Sequence, residues 1–191
     1  MLLDQPSSFA HFLLDQAIRP GDVVIDATVG YGDDTLFLAE KVADYGHVYG
    51  FDIQKEALAA CQKRLTTANL NQQVSLINQG HERIITALPA DLKVQAAIFS
   101  LGSLSSETSQ DVTLPNTTIS AYHQVLSRLN RGGLLLFTID NHFFKSEEEI
   151  HYLVADLTRL NPERYAVRHF QGVNQDVGQL LTVIKNKKVS G

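Results

Sequence analysis

Hydrophobic positions along the chain alternate between short β-branched runs and longer stretches with apolar residues three and four apart. That alternation predicts strands joined through helices. Ser7 or Ser8 is placed to cap a first helix burying Phe9, Phe12, Leu13 and Ala17 and ending before Pro20-Gly21. A strand from Val23 to Ala27, a helix from Asp34 to Val42, a strand from His47 to Phe51 and a helix from Gln54 to Ala68 follow, completing one βαβ unit. The pattern continues with a strand at Val74 to Asn78, a short helix around Glu82 to Leu88 and a strand at Ala96 to Ser100. A polar stretch from Gly102 to Asn116 then interrupts it, and connections of that length are commonly functional or mobile. Beyond it come a helix from Thr117 to Leu129, a turn at Arg131-Gly132-Gly133, a strand from Leu134 to Ile139 and a helix from Ser146 to Leu160. Strands at Tyr165 to Phe170 and Gln179 to Ile184 close the chain, and the short loop between them predicts an antiparallel pair.

About seven strands, the first five parallel and the last two a hairpin, with helices on both faces, make an α/β, Rossmann-like plan, that of the class I methyltransferase sheet. The chain has 191 residues, 44% hydrophobic and 19% charged, which suits one globular domain spanning residues 1–191. No apolar run approaches the roughly 20 residues needed to span a bilayer, and no secretory leader pattern opens the sequence, so no membrane partner and a cytoplasmic location are expected. The single cysteine, Cys61, is assigned to helix packing and again suits a reducing compartment. A net charge of -5 argues against a broad basic face, so an RNA partner would need a local patch. Arg128, Arg131, Lys185, Lys187 and Lys188 are candidates, although a helix end and a solvated tail account for them as well.

The chemistry concentrates after the first strand, where the chain reads Asp26-Ala27-Thr28-Val29-Gly30-Tyr31-Gly32-Asp33-Asp34-Thr35 and opens a helix. Glycines there let backbone approach a ligand closely, but a plain strand-to-helix turn capped by Asp33 or Asp34 explains the same letters. The second strand ends at Gly50-Phe51-Asp52, about twenty residues beyond the glycine pair, where an acid can accept both hydroxyls of an adenosine ribose. A cap for the next helix is compatible with that role, since a carboxylate has several acceptor positions. Asp33 and Asp34 would repel a pyrophosphate at the helix start and tolerate or attract the cationic groups of S-adenosylmethionine, which favours the methyl donor over NAD. Asp26 is placed to face the methionine end of that ligand. Gly80-His81-Glu82 follows the third strand, where the adenine edge is expected, and His81 reads equally as a surface helix-start residue.

Asp26-Ala27-Thr28, Gly30-x-Gly32-x-Asp34-Thr35-Leu36-Phe37-Leu38-Ala39, Gly50-Phe51-Asp52-Ile53-Gln54 and Gly80-His81 together resemble the small bacterial methyltransferases that act on aminomethyl-thiouridine at the tRNA wobble position, a family earlier labelled putative rRNA methylase. The resemblance covers nearly the whole chain. It implies that Tyr31, Asp33, Asp52, Gln54, Gly80 and His81 line the donor pocket, and that the substrate is RNA, specifically tRNA. Tyr31 and Asp33 stand where the family usually has asparagines. On the acceptor side the family's Asn-Leu-Gly-Tyr-Leu-Pro becomes Ser100-Leu101-Gly102-Ser103-Leu104-Ser105, and its Asp-Lys pair becomes Thr108-Ser109. The later Tyr-x-Gly-His type turn becomes Asp140-Asn141-His142-Phe143-Phe144, and the Asn-Gln and paired prolines are reduced to Asn174-Gln175.

Methyl transfer to an amine needs a deprotonated nitrogen held in line with the sulfonium, so positioning and a nearby proton acceptor carry the catalysis. Ser100, Asp140 and His142 are the candidates for that work, against a plainer role as polar residues at strand ends. The first reading is therefore an S-adenosylmethionine-dependent methyltransferase acting on a tRNA base amine. The second, motivated by the altered acceptor motif, is a donor-binding relative that has lost the reaction or changed substrate. A nicotinamide oxidoreductase rests on the sheet and glycines alone. An apolar strand edge would serve a homodimer as readily as an RNA.

Overall fold

The computed structural model describes residues 5–102, 115–139, 147–174 and 178–186. In chain order its elements are α1 (Pro6–Ala17), β1 (Val23–Asp26), α2 (Asp33–Val42), β2 (His47–Phe51), α3 (Lys55–Ala68), β3 (Val74–Ile77), α4 (Ile84–Ala87), β4 (Val94–Leu101), α5 (Pro115–Arg128), β5 (Leu129–Ile139), α6 (Glu147–Leu157), β6 (Tyr165–Gln171) and β7 (Gln179–Lys185). One seven-stranded sheet has the order β3-β2-β1-β4-β5-β7-β6. The first five strands pair in parallel, and β7 runs antiparallel between β5 and β6. The Rossmann-like plan expected from the alternation is the one observed.

Successive strand residues point to opposite faces, and each face has its own core. Val24, Ala96, Ile98 and Leu136 pack beneath α1, α2 and α3 with Leu14, Leu38, Cys61 and Leu65. Ile25, Ala97, Phe99, Phe137 and Leu181 pack on the other side with Tyr122, Val125, Leu153 and Leu157 from α5 and α6. A chain covered on both faces reads as apolar runs in its central strands, which is why β4 and β5 were legible.

Two local expectations need correction. Pro6 occupies the first turn of α1 and Gln5 its cap position, so Ser7 and Ser8 lie inside the helix. The fully buried line of α1 is Ala10 and Leu14, four residues apart on one face, while Phe12 lies on the other side and stays 42% exposed. Arg131-Gly132-Gly133 is not a turn before β5. It lies within the strand as an irregularity in the ladder, with Val94 opposite Leu129 but Ala96 opposite Leu134. A Cβ on Gly133 would come 2.9 Å from the Gln95 carbonyl oxygen, so glycine lets the bulged backbone lie against β4. No helix among the described residues is long and apolar enough to cross a membrane.

Candidate functional site

The strand order reverses between β1 and β4, and the carboxyl ends of β1, β2 and β4 open where ligands bind in such sheets. Leaving β1, the chain turns through Gly30 and Gly32, whose φ values of +51° and +90° lie in the left-handed region. A Cβ on Gly32 would also stand 2.5 Å from the Cys61 sulfur, so the loop rests directly on α3. Cys61 is buried, and burial pushes its thiol up to about 11. It is a packing residue, as its isolation suggested. Tyr31, between the glycines, is 60% exposed, and its carbonyl accepts a 2.7 Å hydrogen bond from Arg64.

Asp52 ties the loop to the end of β2. Its Oδ2 accepts from the Gly30 N–H at 2.8 Å and its Oδ1 from the Gln54 N–H at 2.8 Å. The carboxylate therefore both shapes the glycine turn and holds the entry to α3, and each oxygen keeps a further acceptor position. Asp26, fully buried at the end of β1, accepts from the Thr35 hydroxyl at 2.5 Å and the Thr28 N–H at 3.1 Å. Burial first, and the neighbouring Asp34 charge second, raise its carboxyl to about 7.

His81 is not a surface residue. It starts a 3-10 turn after Gly80 and is only 8% exposed, with its ring set edge-on to Phe99 at 5.6 Å between centroids. Burial holds the imidazole below its ordinary value, while Glu82, a hydrogen bond to the Ala27 backbone and the charge of Asp52 pull the other way. Its enclosed Nε2 meets no hydrogen-bond partner among the described residues. Native proteins leave few buried polar atoms unpaired, so this one fits a ligand atom.

Ser100, near the end of β4, sits in a chain of side-chain hydrogen bonds. Its Oγ donates to Asp34 Oδ2 at 2.5 Å and accepts from the Thr138 hydroxyl of β5 at 2.9 Å. Asp34 Oδ1 lies 2.6 Å from His11 Nε2, and the His11 ring stacks on Phe37 at 4.0 Å. The Ser100 N–H donates to the Thr28 hydroxyl at 2.6 Å, which links this chain back to Asp26. Asp33 points elsewhere. Its carboxylate is 79% exposed and pairs with Arg64 at 2.7 Å.

The structure thus gathers Asp26, Gly30, Gly32, Asp52, Gln54, His81 and Ser100 around one set of strand ends, with Gly80 leading into His81. Asp33 and Tyr31 sit at the outer rim. Asp140 and His142 lie outside the described residues. Sequence reasoning missed His11, Thr28, Thr35 and Thr138, and it missed Arg64 as the partner of Asp33. The signal for Thr35 was available two residues beyond Asp33, but His11 is 23 residues from Asp34 on a helix read only for its apolar face. No cluster of metal-ligating side chains occurs among the described residues.

Comparison with known proteins bears on the family and the fold. Residues 48–185 match the family model described as Putative rRNA methylase. The chain is 31% identical over 180 residues to the chloroplastic tRNA (mnm(5)s(2)U34)-methyltransferase of Arabidopsis thaliana, covering 90% of this chain and 66% of that protein. The crystal structure of a putative rRNA-methylase from Clostridium thermocellum superposes with a TM-score of 0.88 at 31% identity, covering 97% of this chain and all of that one. A putative methyltransferase from Streptococcus mutans, solved in complex with SAH, gives a TM-score of 0.84 at 30% identity and covers 95% of this chain and 98% of its own.

Proposed function

The chain belongs to the family described as Putative rRNA methylase, and from that premise we propose that it is an S-adenosylmethionine-dependent methyltransferase acting on RNA, with a tRNA wobble-uridine aminomethyl group as acceptor. The observation that carries the donor assignment is the join between Asp52 and the glycine turn. Backbone amides hold both carboxylate oxygens in place and leave acceptor positions on each, the arrangement a ribose diol requires. The unpaired, buried Nε2 of His81, after β3, is a second observation that favours a bound group near these strand ends. The Streptococcus mutans relative was solved with SAH, which supports the same pocket here.

In this reading Asp52, Gly30, Gly32 and Gln54 hold the adenosine, Gly80 and His81 meet its base, and Asp26 faces the amino-acid end. Tyr31 covers the pocket from the rim. Asp33 has a lesser part than its position suggested, since Arg64 already compensates its charge. The bound donor supplies a methyl group on a sulfonium. The chain's own work is to exclude water, orient the acceptor at Ser100 and provide a proton acceptor. Asp140 and His142, which follow β5 directly in sequence, belong to the proposal as further acceptor-side groups. Residues 1–191 act as one domain, and a chain with a single buried cysteine suits the cytoplasm.

Calorimetry with S-adenosylmethionine tests this reading. Wild type is expected to bind. Asp52→Ala should weaken binding about 10- to 100-fold, the range for losing hydrogen bonds to a charged group. Unchanged affinity in Asp52→Ala, or no binding by wild type, refutes it. Tritium transfer onto tRNA from cells lacking the gene separates an active enzyme from a donor-binding relative.

A further inference from the structure

We propose that Asp34, held between His11 and Ser100, is the group that receives the acceptor as an ammonium ion and removes its proton; this rests on the methyltransferase reading above.

Asp34 differs from the other acids of the opening in its partners. Asp52 is held by backbone amides and Asp33 by an exposed arginine, whereas both Asp34 oxygens are held by side chains from distant elements, His11 of α1 and Ser100 of β4. Its side chain is 13% exposed, so it can be reached by a substrate while most of its hydration is already gone. Electrostatic attraction is strongest in such a place. No Lys or Arg forms an ion pair with it among the described residues; His11 from α1 is its direct partner, its charge acts on Asp26 of β1, and Lys41, paired with Asp15, lies over the Phe37 ring that fixes His11.

The direction of the hydrogen bonds narrows the acceptor class. Ser100 gives its only proton to Asp34 and accepts from Thr138, which leaves its Oγ one acceptor position and no donor. Each Asp34 oxygen likewise keeps acceptor capacity alone. A surface that only accepts suits an alkyl ammonium, which has three donors and no acceptor, and mismatches a ring nitrogen that presents a lone pair. The unit also adjoins the donor pocket. Thr28 bonds both Ser100 and Asp26, and Thr35 beside Asp34 bonds Asp26.

Asp34 accepts from His11 Nε2–H on one oxygen and from the Ser100 hydroxyl on the other, and a remaining lone pair on either oxygen can take one proton. The ammonium N–H bond breaks, its proton passes to Asp34, and the electron pair stays on nitrogen. That pair forms the new N–C bond to the methyl group while the C–S pair remains on sulfur. The methylated nitrogen leaves as an ammonium, and Asp34 returns its proton to solvent. Asp34 is then a catalytic residue, and His11, with its ring plane fixed on Phe37, a positioning one.

The test compares two anticodon stem-loop RNAs, one with 5-aminomethyluridine at the wobble position and one with uridine, binding the full chain without donor. Wild type should prefer the aminomethyl RNA about tenfold. Asp34→Asn should erase that preference, keep S-adenosylmethionine affinity within about threefold, and lower methyl transfer at least 100-fold, the usual contribution of a general base. A preference and transfer rate at the wild-type level in Asp34→Asn overturn the proposal, as does loss of donor binding together with transfer, which would put Asp34 on the donor side. If Asp34→Asn does not fold, His11→Ala carries the test, with a preference reduced at least threefold expected and an unchanged one overturning it. Failure of wild type to bind donor refutes the methyltransferase reading instead.

Discussion

Two carboxylates at the mouth of the sheet are held in opposite ways. Asp52, on the β2 side, is fixed by the N–H groups of Gly30 and Gln54, and Asp34, on the β4 side, by the side chains of His11 and Ser100. Backbone donors cannot be lost by substitution, except to proline, so the first arrangement depends only on the path of the chain. Side-chain donors can be replaced one at a time. The edge proposed to hold the donor is therefore built to stay the same, while the edge proposed to meet the acceptor, at Ser100 and Asp34, is built from parts that can be exchanged.

The hardest blow to this contrast is a change that moves backbone. Gly32→Ala places a methyl group against the Cys61 sulfur and forces a left-handed φ on a residue with a side chain. Overpacking costs about 1–3 kcal/mol and the backbone conformation about 1–2. A combined loss of about 2–5 kcal/mol in urea denaturation is expected, with Cys61→Ala recovering part of the packing share. A loss below about 1 kcal/mol would mean that the turn is not held as tightly as its contacts imply.

A smaller effect separates Asp26 from both acids. Its carboxyl is raised to about 7 in the folded chain from an ordinary value of 3.8, so between those limits the folded state binds more protons than the unfolded one. The contribution of this group to stability is then fully present below about pH 4 and declines as pH rises through about 7. Asp26→Asn should flatten the fall in thermal midpoint between about pH 4 and 7. Parallel pH curves for the two proteins would show that Asp26 does not titrate in that window.

The smallest effect concerns Asp33. Because it is exposed and already paired with Arg64, Asp33→Asn should change S-adenosylmethionine affinity less than about threefold and stability by under about 1 kcal/mol. A tenfold loss of donor affinity would restore the simpler picture in which both acids after the glycines draw in the cation.

The same contrast explains what could be read from the letters alone. Glycines followed at a fixed distance by Asp52 describe a backbone path, and a backbone path leaves a spacing in the sequence. The strands β4 and β5 likewise stand out, because burial on both faces leaves continuous apolar runs. His11 and Asp34 meet only because α1 packs beside α2, a tertiary event without a spacing of its own. His81 was readable as a position but not as a buried one, since its enclosure depends on Phe99 from another strand. Gly132 and Gly133 predict a turn from the letters alone because glycine pairs mark bulges and turns alike. Asp140 and His142 fall outside the described residues.

Cys61 has a consequence beyond packing. Its thiol is enclosed beneath Gly32 and held as the unreactive neutral form, and it is the sole sulfhydryl of the chain. An oxidant or alkylating agent can reach it only in molecules whose glycine turn has lifted away from α3. Oxidation of this thiol is therefore gated by the lifting of the glycine turn, and a ligand that holds the turn down would shield the sulfur as well.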